Sequence, residues 1–400
     1  MRTYQLNLPH EERGRAGLGT RPSGTGHGPP GAAARATING RFLSQPKTGV
    51  QRYAYEIVRQ MDAILAEDPL LRSHLALDIV APERAAGPSD YAAIRRRGVG
   101  GGKGYGWEQG VLPLRARAPL LNLCNTAPLL RRRQIVCIHG ANSFVYPQSY
   151  SRRFRYAQRA LFPTIGRRAQ TITTVSNASA KLLKSLGIVP ADREIDVIPN
   201  GHEHVHAWRP EATRLDRAAI LERPYVLVIG SQAPHKNVRM LDAIAGALNA
   251  RGIKLVVTGG VFNMFSSQAA QLGAPETSVL GYVTDDDLAF LLSNALCLAF
   301  PSLVEGFGLP LVEAMALGCP VVSSNVTSMP EVCGNAAILL PPDRPELWLE
   351  AIQGLHDSPS LRADLAARGA KQVRRFSWAA SAQAYIDLLL DATGGPCRPL

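Results

Sequence analysis

Short apolar runs alternate with amphipathic stretches along most of the 400-residue chain, and the alternation occurs in two series. The first places strands at 36–43, 74–81, 119–125, 133–139, 170–175 and 196–201, with helices at 50–66, 151–169 and 178–186. The second places strands at 225–230, 254–259, 279–283, 297–300 and 320–323, with helices at 238–250, 286–295 and 309–317. The runs 225–230, 254–259 and 297–300 are apolar almost without interruption. That is the pattern of strands covered on both faces of a parallel sheet. The expected fold class is therefore α/β, with two tandem Rossmann-like doubly wound domains.

Breaks in this pattern set the expected boundaries. Residues 1–35 are rich in Gly, Pro and Arg and read as a disordered extension, or as the product of a start codon placed too early. Residues 36–202 form the first domain and 203–223 a linker. Residues 224–375 form the second domain. A last helix, 376–392, is expected to pack back on the first domain, and 393–400 is a tail. The linker region holds His202, His204 and His206, but no Cys or carboxylate-rich cluster frames them, so a metal is not expected there.

Composition removes several function classes. Hydrophobic residues make up 46% and charged residues 19%, which excludes a largely disordered chain and a coiled coil. No run approaches the roughly 18 consecutive apolar residues of a membrane-spanning helix. The first thirty residues lack the apolar segment of a secretory signal. Six cysteines, with no C-x-x-C pair among them, suggest neither a disulfide framework nor a zinc site and fit a reducing compartment. The net charge of +12 is unevenly spread: residues 1–200 carry 29 basic and 13 acidic side chains. A basic half attracts anionic partners such as a phospholipid surface, a nucleic acid or an acidic substrate. A solvated Arg-rich surface is the bland alternative.

Chemistry concentrates in the segment from Phe300 to Ala316. A buried strand ends there in a loop, Glu305-Gly306-Phe307-Gly308, and a helix opens at Leu309 with Pro310 in its first turn. Amides of Gly306, Phe307, Gly308 and Leu309 would point at an anion placed at that helix start. Glu305 precedes the loop and Glu313 lies one turn into the helix, so the two carboxylates can reach hydroxyl groups on either side of such an anion. A helix-start acid complementing the macrodipole is the other reading. Asp285-Asp286-Asp287 follows Thr284 and reads as the first turn of a capped helix in preference to a metal cluster.

This segment resembles the Glu-x7-Glu signature of the retaining nucleotide-sugar glycosyltransferases of family 4, in the branch that includes mannosyl- and rhamnosyltransferases. Further blocks are similar, in the family's order. They are Thr48-Gly49-Val50-Gln51-Arg52-Tyr53, Thr174-Val175-Ser176, Val197-Ile198-Pro199-Asn200-Gly201, Gly230-Ser231-Gln232-Ala233-Pro234-His235-Lys236-Asn237, Gly281-Tyr282-Val283-Thr284 and Pro330-Glu331-Val332. The resemblance spans about 36–391 and implies two lobes of GT-B type facing across a cleft, the first for acceptor and the second for donor.

The resemblance also implies roles. Glu305 would contact the transferred sugar, Glu313 the nucleotide ribose, and Lys236 the diphosphate, with Ser231 beside it. Gly49 would let backbone approach the phosphates, where a Cβ would obstruct. The Gly306–Leu309 stretch, through Phe307 and Gly308, would bind the donor by its amides. Backbone around Tyr282 and Val283 would read the base, and His139 would sit by the reacting face of the sugar. Arg52 would add positive charge near Gly49. Relatives often carry Arg where this chain has Ser231 and His235, and often Asp after the histidine where it has Gly140-Ala141-Asn142. Fewer fixed charges would then face the diphosphate.

The expected function is a retaining hexosyltransferase that moves a sugar, mannose favoured, from a nucleotide-diphosphate donor such as GDP-mannose. The acceptor would be a lipid-linked or polysaccharide glycan in surface-glycan assembly. No cofactor and no metal are expected, nor a nucleic-acid partner. The expected location is cytoplasmic, with peripheral attachment to an anionic inner membrane face left open. Arg131-Arg132-Arg133 and Arg152, Arg153, Arg155 and Arg159 are the basic clusters that would serve it. Trp107-Glu108-Gln109 could face the acceptor or be structural. Two other classes fit worse. A dinucleotide-dependent oxidoreductase would need a G-x-G-x-x-G between first strand and helix, and a nucleic-acid binder would need a recognition motif beyond charge.

Overall fold

The computed structural model describes residues 33–87, 91–102, 104–230, 233–260 and 277–394. The extension up to residue 32, Ser231 and the tail beyond 394 lie outside the described residues.

Strands β1 (Ala34–Asn39), β2 (Leu75–Ala81), β3 (Arg95–Gly98), β4 (Leu120–Asn122), β5 (Gln134–Cys137), β6 (Thr171–Thr174) and β7 (Asp196–Val197) form one sheet. Its order is β3-β2-β1-β4-β5-β6-β7. Strands β8 (Tyr225–Ile229), β9 (Lys254–Thr258), β10 (Thr277–Gly281), β11 (Cys297–Phe300), β12 (Val321–Ser324) and β13 (Ile338–Leu340) form a second, ordered β10-β9-β8-β11-β12-β13. Among the described residues every pairing in both sheets is parallel. β9, β11 and β12 are buried throughout, as strands with helices on both faces must be.

Each sheet reverses its winding once, between β1 and β4 and between β8 and β11. Loops leaving the carboxyl ends of strands at such a reversal splay apart and leave a crevice, where ligands of open α/β sheets bind. The Thr48-Gly49 turn follows β1, Lys236 follows β8 and Glu305 follows β11, so topology alone directs these residues to the two crevices.

Several local expectations are corrected. The strand expected over 36–43 ends at Asn39, and Gly40–Ser44 is a 3-10 turn. The Asn39 side chain accepts from the Arg41 amide at 3.1 Å and turns the chain out of the sheet. β3 was not expected, because its sequence is Arg-Arg-Arg-Gly. Asp78 on the neighbouring strand holds it by pairing with Arg95 and Arg97. The segment read as a linker is packed: it holds two 3-10 turns and the Arg217–Leu221 helix, and His204 within it is buried. Of the two readings of Trp107 the structural one holds: it is buried and donates to the Val99 carbonyl at 2.9 Å.

The Trp378–Thr393 helix crosses back onto the first lobe. Its Tyr385 hydroxyl meets Tyr53 at 2.9 Å and Thr173 at 2.8 Å, and Tyr53 in turn donates to the Ile198 carbonyl at 3.0 Å. One apolar cluster runs from Ile57 and Val58 through Trp208 and Trp378 to Phe290 and Met315, so the lobes share a core near the crossing chains.

Candidate active site

On the second lobe, Pro234–Lys236 forms a single 3-10 turn after β8, stopped by Asn237 in the left-handed region (φ 53°). The turn aims the Lys236 ammonium over the Phe300 ring and onto Glu305 Oε1, 2.6 Å away. Glu305 is fixed from behind. Its amide donates to Thr327 Oγ1 at 3.2 Å, and Ser328 Oγ donates to the Glu305 and Phe307 carbonyls at 3.1 and 3.0 Å.

The loop then enters the Leu309–Ala316 helix through Gly308, whose φ of 96° only glycine adopts without strain. Among the described residues the amides of Gly306, Phe307, Gly308 and Leu309 meet no acceptor. They form the positive end of the helix within one loop of the Lys236–Glu305 pair.

The first lobe closes on this loop. A Cβ on Gly306 would collide with the His139 carbonyl, so only glycine allows the approach. Ser176 Oγ and Ser179 Oγ donate to the Gly306 carbonyl at 2.6 and 2.9 Å. Glu331 of the second lobe caps the Asn177–Ser185 helix of the first, accepting from the Asn177 and Ala178 amides at 2.9 and 3.0 Å. The His139 imidazole itself turns inward: Nε2 is 2.8 Å from the Leu123 carbonyl and the ring packs edge-on against Tyr53. Burial alone would lower the His139 pKa, but the Cys137 sulfur and the Leu123 carbonyl reverse this and hold it above the usual value. The part of His139 that faces the Gly306 loop is thus its backbone carbonyl.

Gly49 opens the Gly49–Glu67 helix, and a Cβ there would meet no atom of the described residues within 4 Å. Three residues on, Arg52 bridges the lobes. It forks onto Asp285, with Nη1 3.1 Å from Oδ2, and its Nε lies 3.8 Å from Glu313 Oε1. Burial would lower the Arg52 pKa, yet the Glu313 and Asp285 carboxylates raise it. Tyr282 is exposed and, with Val283, leads directly into Thr284 and Asp285, so the loop expected from the resemblance to read the base adjoins the Gly49 turn.

The structure therefore gathers Lys236, Glu305, Gly306, Phe307, Gly308 and Leu309 on one loop face. Across Arg52 it links Gly49 to Tyr282, Val283 and Glu313. Glu313 is 4% exposed, and His204 Nε2 donates to its Oε1 at 2.9 Å.

Two features escaped sequence reading. His204 is one. The other is a buried network at the carboxyl ends of β1 and β4: Glu108 Oε1 accepts from Asn39 Nδ2 (2.8 Å), Arg41 Nε (3.1 Å) and Thr126 Oγ1 (3.1 Å). No spacing signals it, because its members come from three separate segments, 39–41, 108 and 126. The acids Asp285, Asp286 and Asp287 are each taken by protein donors: Arg52, the Arg209 amide, and Thr213 with the Arg214 amide. Thr284 and Asp287 form a capping box at the helix start.

Comparison with known proteins agrees with this architecture. Residues 114–206 match the family profile described as Glycosyltransferase Family 4, and residues 212–372 match that described as Glycosyl transferases group 1. The chain is 33% identical over 257 residues to the O-antigen chain mannosyltransferase B of Escherichia coli, covering 62% of this chain and 67% of that one. It is 28% identical over 239 residues to the O-antigen chain mannosyltransferase RfbU of Salmonella typhimurium, covering 59% and 64%. Its fold matches a sucrose-phosphate synthase from Thermosynechococcus elongatus with a TM-score of 0.65 at 19% identity, over 90% of this chain and 99% of that one. With two parallel α/β lobes of GT-B type and matches in both, this hexosyltransferase chain belongs to the family 4 glycosyltransferases.

Proposed function

We propose that the protein transfers mannose from a nucleotide-diphosphate donor, GDP-mannose favoured, to a lipid-linked or polysaccharide acceptor during assembly of a surface glycan. The two O-antigen mannosyltransferases among its relatives support the sugar and the pathway. The single observation that carries the chemistry is the Lys236–Glu305 pair at 2.6 Å, set beside the Gly306–Leu309 amides at one helix start.

Breaking the sugar–phosphate bond leaves negative charge on the diphosphate and positive charge on the sugar. An ammonium and a helix N-terminus stabilise the first, and the Glu305 carboxylate suits the second and the sugar's hydroxyls. These groups are preorganised, so they can act in place of a divalent cation, and we propose a metal-independent reaction. The acceptor hydroxyl attacks the anomeric carbon on the face the diphosphate leaves. Its proton passes to the departing phosphate oxygen, and configuration is retained. Glu305→Ala and Lys236→Ala should each abolish transfer in a nucleotide-sugar panel while thermal midpoints stay near wild type. Wild-type rates in either variant refute the assignment, and loss of turnover in EDTA with recovery on Mg²⁺ refutes metal independence.

The acceptor reading rests on charge. Arg152, Arg153 and Arg159 are exposed on the Arg152–Arg168 helix, beside exposed Tyr156. That helix begins next to the site: the His235 amide donates to Ser149 Oγ at 3.2 Å, and Tyr150 stacks on the His235 ring at 5.6 Å. No helix among the described residues is long and apolar enough to cross a membrane. An arginine face of this kind suits a lipid diphosphate lying at an anionic membrane surface.

A further inference from the structure

His204 lies between two groups of opposite hydrogen-bonding character. Its Nδ1 is 2.9 Å from Trp378 Nε1. An indole nitrogen only donates, so Nδ1 must present a lone pair. The ring proton then sits on Nε2, which donates to Glu313 Oε1 at 2.9 Å. Trp378 thus selects the tautomer and His204 passes that choice to the carboxylate.

The surroundings leave this chain of bonds little freedom. The Glu203 carboxylate accepts from the Trp378 amide at 2.9 Å, and His202 Nδ1 is 2.7 Å from the Phe376 carbonyl. A Cβ on Gly201 would run into the Trp378 amide and ring, so the two segments touch at backbone distance. The Trp208 ring packs edge-on against His204, with centroids 5.2 Å apart, and carries the Arg52 guanidinium on its face. Arg52 approaches the same oxygen of Glu313 that His204 holds. Among the described residues no hydrogen bond reaches Oε2.

We propose that His204 and Trp378 are positioning residues for the donor: they engage Glu313 through Oε1 and leave Oε2 to accept from a ribose hydroxyl of the nucleotide sugar. The inference rests on the reading of Glu313 as a donor-binding carboxylate. It places the control of donor affinity in the two segments where the chain passes between lobes, 202–208 and 376–378.

The test measures affinity for GDP, UDP and ADP by calorimetry, and KM and kcat with the preferred donor, in the full chain. His204→Ala should weaken the nucleoside diphosphate and raise donor KM about tenfold, as loss of one hydrogen bond to a charged group does, with kcat within about twofold. His204→Gln, whose amide can donate to Glu313 and accept from the indole, should recover most of that loss. Trp378→Phe keeps an aromatic ring at this buried position but removes the donor to Nδ1 together with part of the packing, and should fall between. Glu313→Ala should lose at least as much, and adding His204→Ala to it should cost nothing further. If Glu313→Ala binds nucleotide like wild type, the reading of Glu313 fails and this inference with it. If Glu313→Ala is weak but Trp378→Phe and His204→Ala bind normally, the positioning role alone fails. Equal losses in His204→Ala and His204→Gln, tracking a common fall in thermal midpoint, also overturn it, because they would report packing. Should His204→Ala not fold, the Gln and Phe variants decide the matter.

Discussion

At Gly49, none of the described residues requires glycine. Its side-chain direction is open, and it starts a helix in an ordinary backbone conformation. Gly49→Ala should therefore leave thermal stability unchanged or raise it by up to about 1 kcal/mol, through the lower entropy of the unfolded chain. If a diphosphate approaches the backbone there, the same variant loses donor affinity, and calorimetry against the donor nucleotide separates the two effects. The Arg41–Glu108 pair predicts the reverse. Both side chains are buried, and Glu108 Oε1 carries three donors. Arg41→Ala leaves a buried carboxylate without its cation and should cost about 3–5 kcal/mol in denaturant unfolding. Glu305 and Lys236 could be found in the sequence because each sits in a short run of distinctive neighbours. His204 could not, since its meaning comes from residues 109 and 174 positions away.

The Asp285–Asn294 helix shows how an element joins the segments around it. Thr284 and Asp287 close a capping box, and Asp287 also accepts from Thr213 and the Arg214 amide of the crossing segment. Burial works against the Asp287 carboxylate, but these hydrogen bonds dominate and lower its pKa to about 2 from 3.8. A depressed carboxylate stabilises the fold above its unfolded value, and that contribution disappears as pH falls through the folded one. Stability should thus drop between about pH 4 and pH 2, and Asp287→Asn should flatten that part of the curve measured by chemical unfolding. Patterning located this helix and its cap, because Thr followed by acids and an apolar stripe is a local signal. It missed β3, which has no apolar alternation and is held by Asp78 on the strand beside it.

For the whole molecule, the contact of the two lobes matters most. The Gly306 carbonyl receives two hydroxyls from the first lobe, Glu331 caps a first-lobe helix, and Arg52 reaches two carboxylates of the second. A methyl group at position 306 cannot be accommodated, because it would strike backbone. Gly306→Ala should hold the lobes apart, seen as a larger radius of gyration in solution scattering, with each lobe folded and transfer lost. The alternating apolar and amphipathic segments determined by themselves that there are two parallel α/β lobes. The spacing of Glu305 and Glu313 around a Gly-containing helix start also marked that loop as the candidate site, because periodicity and loop chemistry act between near neighbours. Which way His139 turns, what occupies Arg52 and what holds Glu313 were decided only by tertiary structure. Those outcomes depend on bringing 139 beside 306, 52 beside 285 and 204 between 313 and 378, and no local pattern encodes such distances.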